Sequence, residues 1–177
     1  IRTFDGYPCY RDPDGNWWRM YSYIDNAFTL DLIENPQDFY QSGIAFGSFQ
    51  RRLADFPADS LHEVIPRFHD TIDRFSQFED AIALDPLGRV SQVREDIDFY
   101  RRYEHLAHAF ADLQAAGKLP LRVTHNDTKL NNVLIDADTG KAIAVIDLDT
   151  VMPGLAMNDF GDSIRFGAST GAEDETD

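Results

Sequence analysis

The chain of 177 residues lacks the sequence features that mark secreted and membrane proteins. It has a single cysteine, Cys9, which excludes a disulfide within the chain. It has no run of about 18 apolar residues, so no transmembrane helix is predicted. The stretch Ile1–Asp5 is not a basic start followed by an apolar run, so no signal peptide is predicted. These absences predict a cytoplasmic protein with no membrane partner.

Positive charge is also scarce. Lys and Arg number 16 against 31 Asp and Glu, a net charge of −15, and only Lys118, Lys129 and Lys141 are lysines. Such a surface repels nucleic-acid phosphate, which argues against a DNA or RNA partner. A nucleotide ligand would need divalent cations to screen its phosphates. With 43% hydrophobic and 12% aromatic residues, the chain can still build a core, which excludes a disordered protein.

The residues that are present predict a β-hairpin followed by helices. The sequence Asp12–Asn16 is typical of a tight turn, and it lies between predicted aromatic strands at Tyr7–Tyr10 and Trp17–Ile24. Three segments then carry apolar residues at spacings of three and four, which predicts helices with their aromatic stripes in the core. They run from Pro36, capped by Asn35, to Leu53, from Phe68 to Ile82, and from Val93 to Leu113.

From residue 121 the pattern changes to short β-strands. Leu121–Thr124, Val133–Ile135 and Ala142–Ile146 are apolar and rich in β-branched residues, and the last two are separated by the turn at 136–141. The order of hairpin, helices and a small β-hairpin predicts an α+β fold.

A polar loop at 125–132 lies between two of these strands, with sequence His-Asn-Asp-Thr-Lys-Leu-Asn-Asn. If the strands on either side of 136–141 pair, Asn132 and Asp147 lie at neighbouring strand ends. An amide oxygen and a carboxylate are ligands that suit Mg²⁺. Phosphoryl transfer needs a carboxylate that orients and deprotonates the attacking hydroxyl. It also needs oxygen ligands that hold Mg²⁺ and a cation that neutralises charge on the transferred group. Asp127, the Asn132/Asp147 pair and Lys129 could supply these three parts.

The pattern His125-x-Asp127-x-Lys129-x-x-Asn132 resembles the catalytic loop of protein kinases. Followed by Asp147 at a strand end, it resembles the signature of the aminoglycoside phosphotransferase and choline kinase superfamily. The longer runs at 124–136, 145–154 and 158–165 are similar to those of N-acetylhexosamine 1-kinases. The resemblance implies a protein-kinase-like fold, with residues 1–24 as the end of the nucleotide-binding N-lobe and hinge. Residues 25–177 would form a helical catalytic C-lobe, incomplete at its C-terminus.

The resemblance also implies ATP and Mg²⁺ as cofactors and a role for each loop residue. Asp127 would be the catalytic base, Asn132 and Asp147 would ligate Mg²⁺, and Lys129 would approach the γ-phosphate. His125 and Asp162 would support the loop. The hinge residues that face adenine would be Tyr21, Ser22, Tyr23 and Ile24. Further candidates for the site are Thr128, Asp149 and Arg165.

One motif in the chain is misleading. Asp159-Phe160-Gly161 spells the protein-kinase metal motif, but it lies 32 residues after Asp127, beyond a further strand. Asp147 lies 20 residues after Asp127 and at a strand end, so it is the preferred ligand.

Other kinase parts are absent from the sequence. It has no G-x-G-x-x-G, and its first lysine is Lys118, so the resemblance predicts a piece of a longer enzyme that binds ATP weakly alone. The favoured function is an ATP-dependent kinase for the anomeric hydroxyl of an N-acetylhexosamine sugar. A kinase for a cationic substrate such as choline or an aminoglycoside is the alternative, favoured by the acidic balance. A truncated, non-catalytic module that binds a sugar or a partner is a third possibility. The oligomeric state is left open.

Overall fold

A computed structural model describes residues 1–169 of the chain. The last part of the predicted catalytic lobe, residues 170–177, lies outside the described residues. The helices are α1 (Pro36–Arg52), α2 (Thr71–Leu84), α3 (Arg94–Arg102), α4 (Glu104–Ala115) and α5 (Ala156–Gly167). The strands are β1 (Tyr10–Arg11), β2 (Trp17–Trp18), β3 (Ala27–Phe28), β4 (Arg122–Thr124), β5 (Val133–Asp136), β6 (Ala142–Val145) and β7 (Met152–Gly154).

The N-terminal hairpin forms, but it is shorter than predicted. Strands β1 and β2 pair antiparallel across the predicted turn, with Tyr10 opposite Trp18 and Arg11 opposite Trp17. The predicted strands Tyr7–Tyr10 and Trp17–Ile24 are wrong in extent, because pairing stops after two residues on each side. Both strands are solvent-exposed, and a two-stranded ribbon without a buried face has little to stabilise a longer ladder.

Helix α1 begins where the sequence predicts. The Asn35 side chain accepts hydrogen bonds from the backbone N–H groups of Gln37 and Asp38, and the Asp38 carboxylate in turn accepts one from the backbone N–H of Asn35. Pro36 occupies the first turn, where a missing N–H costs nothing. The buried face of α1 packs Ala45 and Phe46 against strand β5, and this contact forms the core beneath the polar loop.

The central sheet has three antiparallel strands in the order β3-β5-β6. Strands β5 and β6 pair through the turn at 136–141, as predicted, with Val133 opposite Val145 and a register shift between Leu134 and Ile135. The sequence reading missed β3, a two-residue strand that pairs Phe28 with Ile135.

Strands β4 and β7 form a separate two-stranded sheet. Strand β4 was predicted from the sequence, and β7 was not. The two backbones approach so closely at Gly154 that a Cβ there would overlap the side chain of Thr124. None of the helices formed by residues 1–169 is both long and apolar enough to cross a membrane.

Two predictions about the helices are wrong. The segment from Val93 to Leu113 is not one helix: α3 ends at Arg102, and Tyr103 has non-helical torsions before α4 begins. The aromatic stripes are not fully buried either, since no residue of α2 is buried. Helix α2 packs chiefly against α4, so its stripe is covered on one side only, and Phe75 and Phe78 stay half-buried.

Candidate active site

Strand β4 leads directly into the polar loop, and the residues where the two join are buried. Thr124 and His125 have no exposed surface, and Asn126 is 4% exposed. Asn126 has φ +67°, a left-handed conformation that asparagine tolerates better than most residues. This turn brings the half-buried Asp127 out beside Lys129 and Asn132.

The structure joins three of the predicted catalytic and metal-binding residues. The Asn132 side-chain amide donates to the Asp127 carboxylate at 3.0 Å and to the Asp127 backbone carbonyl at 2.8 Å. Lys129 Nζ lies 3.7 Å from the other carboxylate oxygen of Asp127. The amide nitrogen of Asn132 thus fixes the carboxylate, and the amide oxygen remains as the ligand that a hard cation prefers.

Asp147 reaches the same end of the sheet through backbone pairing. The Ile146 N–H donates to the Asn132 carbonyl at 2.9 Å, so Asp147 is the next residue after the one paired with Asn132. Asp147 has φ +56° and an exposed side chain, and a 3₁₀ turn over Leu148–Thr150 follows it. The start of β5 and the end of β6 are therefore neighbours, as predicted from the sequence. The extended conformation of β6 ends at Asp147.

His125 ties the loop to the segment that carries Asp147. Its Nε2 lies 3.0 Å from the Ile146 carbonyl, and because a carbonyl only accepts, this nitrogen carries the hydrogen. The ring also meets Phe46 and Phe49 of α1 edge-on, with centroids 5.4 and 5.7 Å away. The other ring nitrogen, Nδ1, is buried and has no hydrogen-bond partner among the described residues.

Helix α5 supports the loop from behind with two carboxylates. Asp162 accepts hydrogen bonds from the backbone N–H and the hydroxyl of Thr128, at 2.7 and 3.0 Å. Asp159, which is 4% exposed, accepts from the backbone N–H groups of His125 and Asn126, at 2.9 and 2.8 Å. Gln50 of α1 donates a third hydrogen bond to Asp159 at 2.6 Å.

The supporting role of Asp159 was not predicted from the sequence. Because it lies in an Asp-Phe-Gly motif, it was considered only as a metal ligand. Its oxygens face backbone N–H groups instead. The signal that could have found it is two acidic residues three apart, at 159 and 162, which share one face of a helix.

The further candidates lie around this centre. Arg165 pairs with Asp162 at 2.9 Å and stacks its guanidinium 3.9 Å from the centre of the Phe166 ring. Lys129 Nζ lies 5.6 Å from the same ring. Asp149 is exposed and forms an ion pair with Arg19.

The predicted hinge, Tyr21–Ile24, has no regular secondary structure, and its large side chains are exposed. It leads to Asn26, whose backbone carbonyl accepts from the Ala137 N–H and whose side chain donates to Asp138. The segment therefore approaches the turn end of the β5–β6 hairpin, opposite the end that holds Asn132.

The donor chemistry of the site suits Mg²⁺ in one specific way. Within residues 1–169, no three His, Cys, Asp or Glu side chains converge in a group that could hold a metal ion. The candidate ligands for a cation here are therefore the amide oxygen of Asn132 and the carboxylate of Asp147. An amide and a carboxylate with room for water and phosphate oxygens fit Mg²⁺, which seldom takes an all-protein cage.

The sequence also matches a known family. Residues 9–176, nearly the whole chain, match the family described as the phosphotransferase enzyme family, or APH.

Proposed function

Because the chain belongs to the phosphotransferase enzyme family, we propose that it transfers the γ-phosphoryl group of ATP to a hydroxyl of a small molecule. The observation that carries this proposal is the contact of the Asn132 amide with the Asp127 carboxylate, at the strand end next to Asp147. A base and two oxygen ligands at one sheet edge are the parts that phosphoryl transfer needs.

Asp127 is the proposed base. The Asn132 amide fixes one of its carboxylate oxygens, and the other faces Lys129. A carboxylate held in this way orients the attacking hydroxyl and takes its proton as the new O–P bond forms. Lys129 carries a positive charge close to this point, where it would stabilise charge on the transferred group.

Asn132 and Asp147 are the proposed magnesium ligands. When bound, Mg²⁺ would neutralise charge on the nucleotide phosphates. The chain's own contribution is to hold the two side chains on strands whose register is fixed by the Ile146–Asn132 hydrogen bond. His125 fixes the carbonyl of the residue before Asp147, so it acts as a positioning residue for that ligand.

Residues 21–24 are the proposed adenine-facing hinge of a protein-kinase-like arrangement. Their neighbour Asn26 contacts Ala137, five residues along the hairpin from Asn132. At ~3.3 Å per strand residue, that separation is about 16 Å. It gives an extended nucleotide room to place its base at one end of the hairpin and its phosphates at the other.

The proposed acceptor is the anomeric hydroxyl of an N-acetylhexosamine, on the resemblance of residues 145–154 and 158–165 to kinases of that class. The net charge of −15 supports a second candidate, a cationic acceptor such as choline or an aminoglycoside. A kinase assay with ATP, Mg²⁺ and both classes of acceptor separates them. Turnover with the sugar alone would support the first candidate.

The test of mechanism compares Asp127→Asn with Asp112→Asn, an exposed carboxylate on α4 as the matched control. In the intact enzyme we expect Asp127→Asn to lower kcat by at least about 10²–10⁴-fold, as for the loss of a general base, and the control to be unchanged. Turnover near normal in Asp127→Asn would remove this residue from the role of base.

A binding measurement tests the metal site independently of turnover. Mn²⁺ with a non-hydrolysable ATP analogue broadens NMR signals near the bound ion. We expect broadening of the amide signals of residues 132 and 147, lost in Asp147→Ala. Broadening that is equal in the variant would place the cation elsewhere. In the intact enzyme, no broadening and no turnover with any acceptor would contradict the proposed function as a whole.

A further inference from the structure

A cavity apart from the proposed active site reaches the catalytic loop at Asn126, and we call it the second cavity. It is lined by the start of α2 and the segment before it, by the second half of α4 and by the strands β4 and β7, and its volume is about 320 Å³. That size falls at the lower end of the range for small-molecule sites. Aromatic and aliphatic side chains form much of the wall, among them Phe68, Phe110, Met152 and Leu155.

Asn126 of the catalytic loop presents a polar group to this cavity. Its amide nitrogen uses both hydrogens, one on the Thr124 carbonyl at 3.2 Å and one on the Thr150 carbonyl at 2.8 Å. Its amide oxygen is left as an acceptor on a residue that is only 4% exposed. A ligand hydroxyl in the cavity would donate a hydrogen bond to this oxygen.

His69 supplies a second such group. Its Nε2 is buried and has no hydrogen-bond partner among the described residues, and His69 also lines the cavity. The ring packs against Phe68, with centroids 4.6 Å apart. An aromatic wall beside unpaired polar atoms suits a ligand that has both C–H faces and hydroxyl groups.

The charged groups of the wall already have partners within the chain. Glu63 accepts from the Arg67 backbone N–H, the Arg67 guanidinium pairs with Asp73, and Asp70 accepts from the first turn of α2. A charged ligand would have to break these pairs to gain a partner of its own. The other polar groups of the wall are the amides of Asn126, Asn158 and Gln114, the Thr71 hydroxyl and the His69 imidazole, which favours an uncharged ligand.

From these contacts we infer that the cavity binds an uncharged polyhydroxylated molecule the size of a single sugar ring. The site is separate from the proposed site of phosphoryl transfer. Asp127, Lys129, Asn132 and Asp147 do not belong to the cavity wall in the described part of the chain. A molecule bound there contacts Asn126, one residue from the proposed base, but does not reach the Asp127 carboxylate.

The three methionines of the chain make a direct test possible. Met152 is 3% exposed and lines the cavity, whereas Met20 and Met157 are 64% and 42% exposed and lie outside its wall. In a chain labelled with ¹³C at the methionine methyl groups, titration with D-glucose should shift the Met152 signal saturably. The signals of Met20 and Met157 should stay in place. We expect a dissociation constant in the range of ~1 mM or tighter.

A matched pair of variants on α4 locates the site. Ala111 lines the cavity, so Ala111→Leu fills it and should weaken the Met152 response at least ~10-fold, or about 1.4 kcal/mol. Ala115→Leu, on the exposed end of the same helix, should leave it unchanged. Asp127→Asn should also leave it unchanged, which separates this site from the proposed catalytic one.

Several outcomes would overturn the inference. One is the absence of a saturable Met152 shift with D-glucose, and another is an equal shift in Ala111→Leu. A response to choline or inorganic phosphate in place of D-glucose would refute an uncharged ligand. If Ala111→Leu does not fold, nuclear Overhauser contacts between the Met152 methyl and the sugar protons in the unaltered chain decide, and their absence refutes the site.

Discussion

Replacement of Asp159 by alanine should destabilise the catalytic loop more than any other single change in α5. The carboxylate is buried and receives hydrogen bonds from the backbone N–H groups of His125 and Asn126 and from the Gln50 side chain. Alanine offers no acceptor, so three donors lose their partner at once. Two of them belong to the backbone and cannot turn toward solvent.

The magnitude follows from these contacts. A buried donor left without a partner costs about 1–3 kcal/mol. Water entering the space left by the carboxylate would satisfy some of them, so we expect Asp159→Ala to lower the free energy of unfolding by about 3–5 kcal/mol. Asp159→Asn keeps one acceptor oxygen and should cost about 1–3 kcal/mol. Since whole domains are stable by only ~5–15 kcal/mol, this loss would remove a large share of the stability of the chain.

Urea unfolding monitored by circular dichroism measures the loss, and amide hydrogen exchange at His125 and Asn126 shows whether it is local. The control is Asp112→Ala on the exposed face of α4, which should change stability by no more than ~0.5 kcal/mol. A cost below about 1 kcal/mol for Asp159→Ala, with protection of both amides intact, would refute the argument that this carboxylate holds the loop.

Two further changes test other contacts. Gly154→Ala places a Cβ into Thr124 across the β4–β7 pair and should cost about 1–3 kcal/mol in thermal or urea unfolding; a neutral effect would show that the two strands can separate freely. The pKa of Asp136 is lowered from 3.8 chiefly by the hydrogen bond from the Thr139 hydroxyl, so its contribution to stability is present above pH 3.8 and is lost as the pH falls through the lowered pKa. Thr139→Val should raise that pKa toward 3.8 in an NMR titration, and an unchanged value would assign the shift to the backbone N–H.

The parts of the structure that the sequence predicted are those with a local signal. The start of α1 follows from Asn35, Pro36 and Asp38, which satisfy the first-turn N–H groups without help from elsewhere. The pairing of β5 with β6 follows from two apolar runs separated by a short turn. That pairing is what brings Asn132 and Asp147 to one sheet edge, so the main site prediction depended on a local element.

The parts that escaped prediction depend on distant contacts. Strand β3 has only Ala27 and Phe28, and it exists because β5 offers it an edge. The break at Tyr103 lies inside a continuous apolar pattern, since both α3 and α4 present apolar residues at helical spacing. An amphipathic stripe shows which side of a helix is covered, but not how completely, so the exposure of the α2 aromatics could not be foreseen.

Asn126 and Asp127 place one turn of backbone between the two proposed sites. The left-handed conformation of Asn126 sends its amide to the Thr124 and Thr150 carbonyls, while the next carboxylate meets Asn132. Asn126 is already held by its own side chain and by Asp159, so its amide oxygen is fixed before any ligand arrives. A preorganised acceptor adds affinity at little entropic cost. Because the Asn132 amide holds both the backbone carbonyl and the carboxylate of Asp127, ligand in the second cavity should alter the position of the base little, and its effect should appear in binding rather than in kcat.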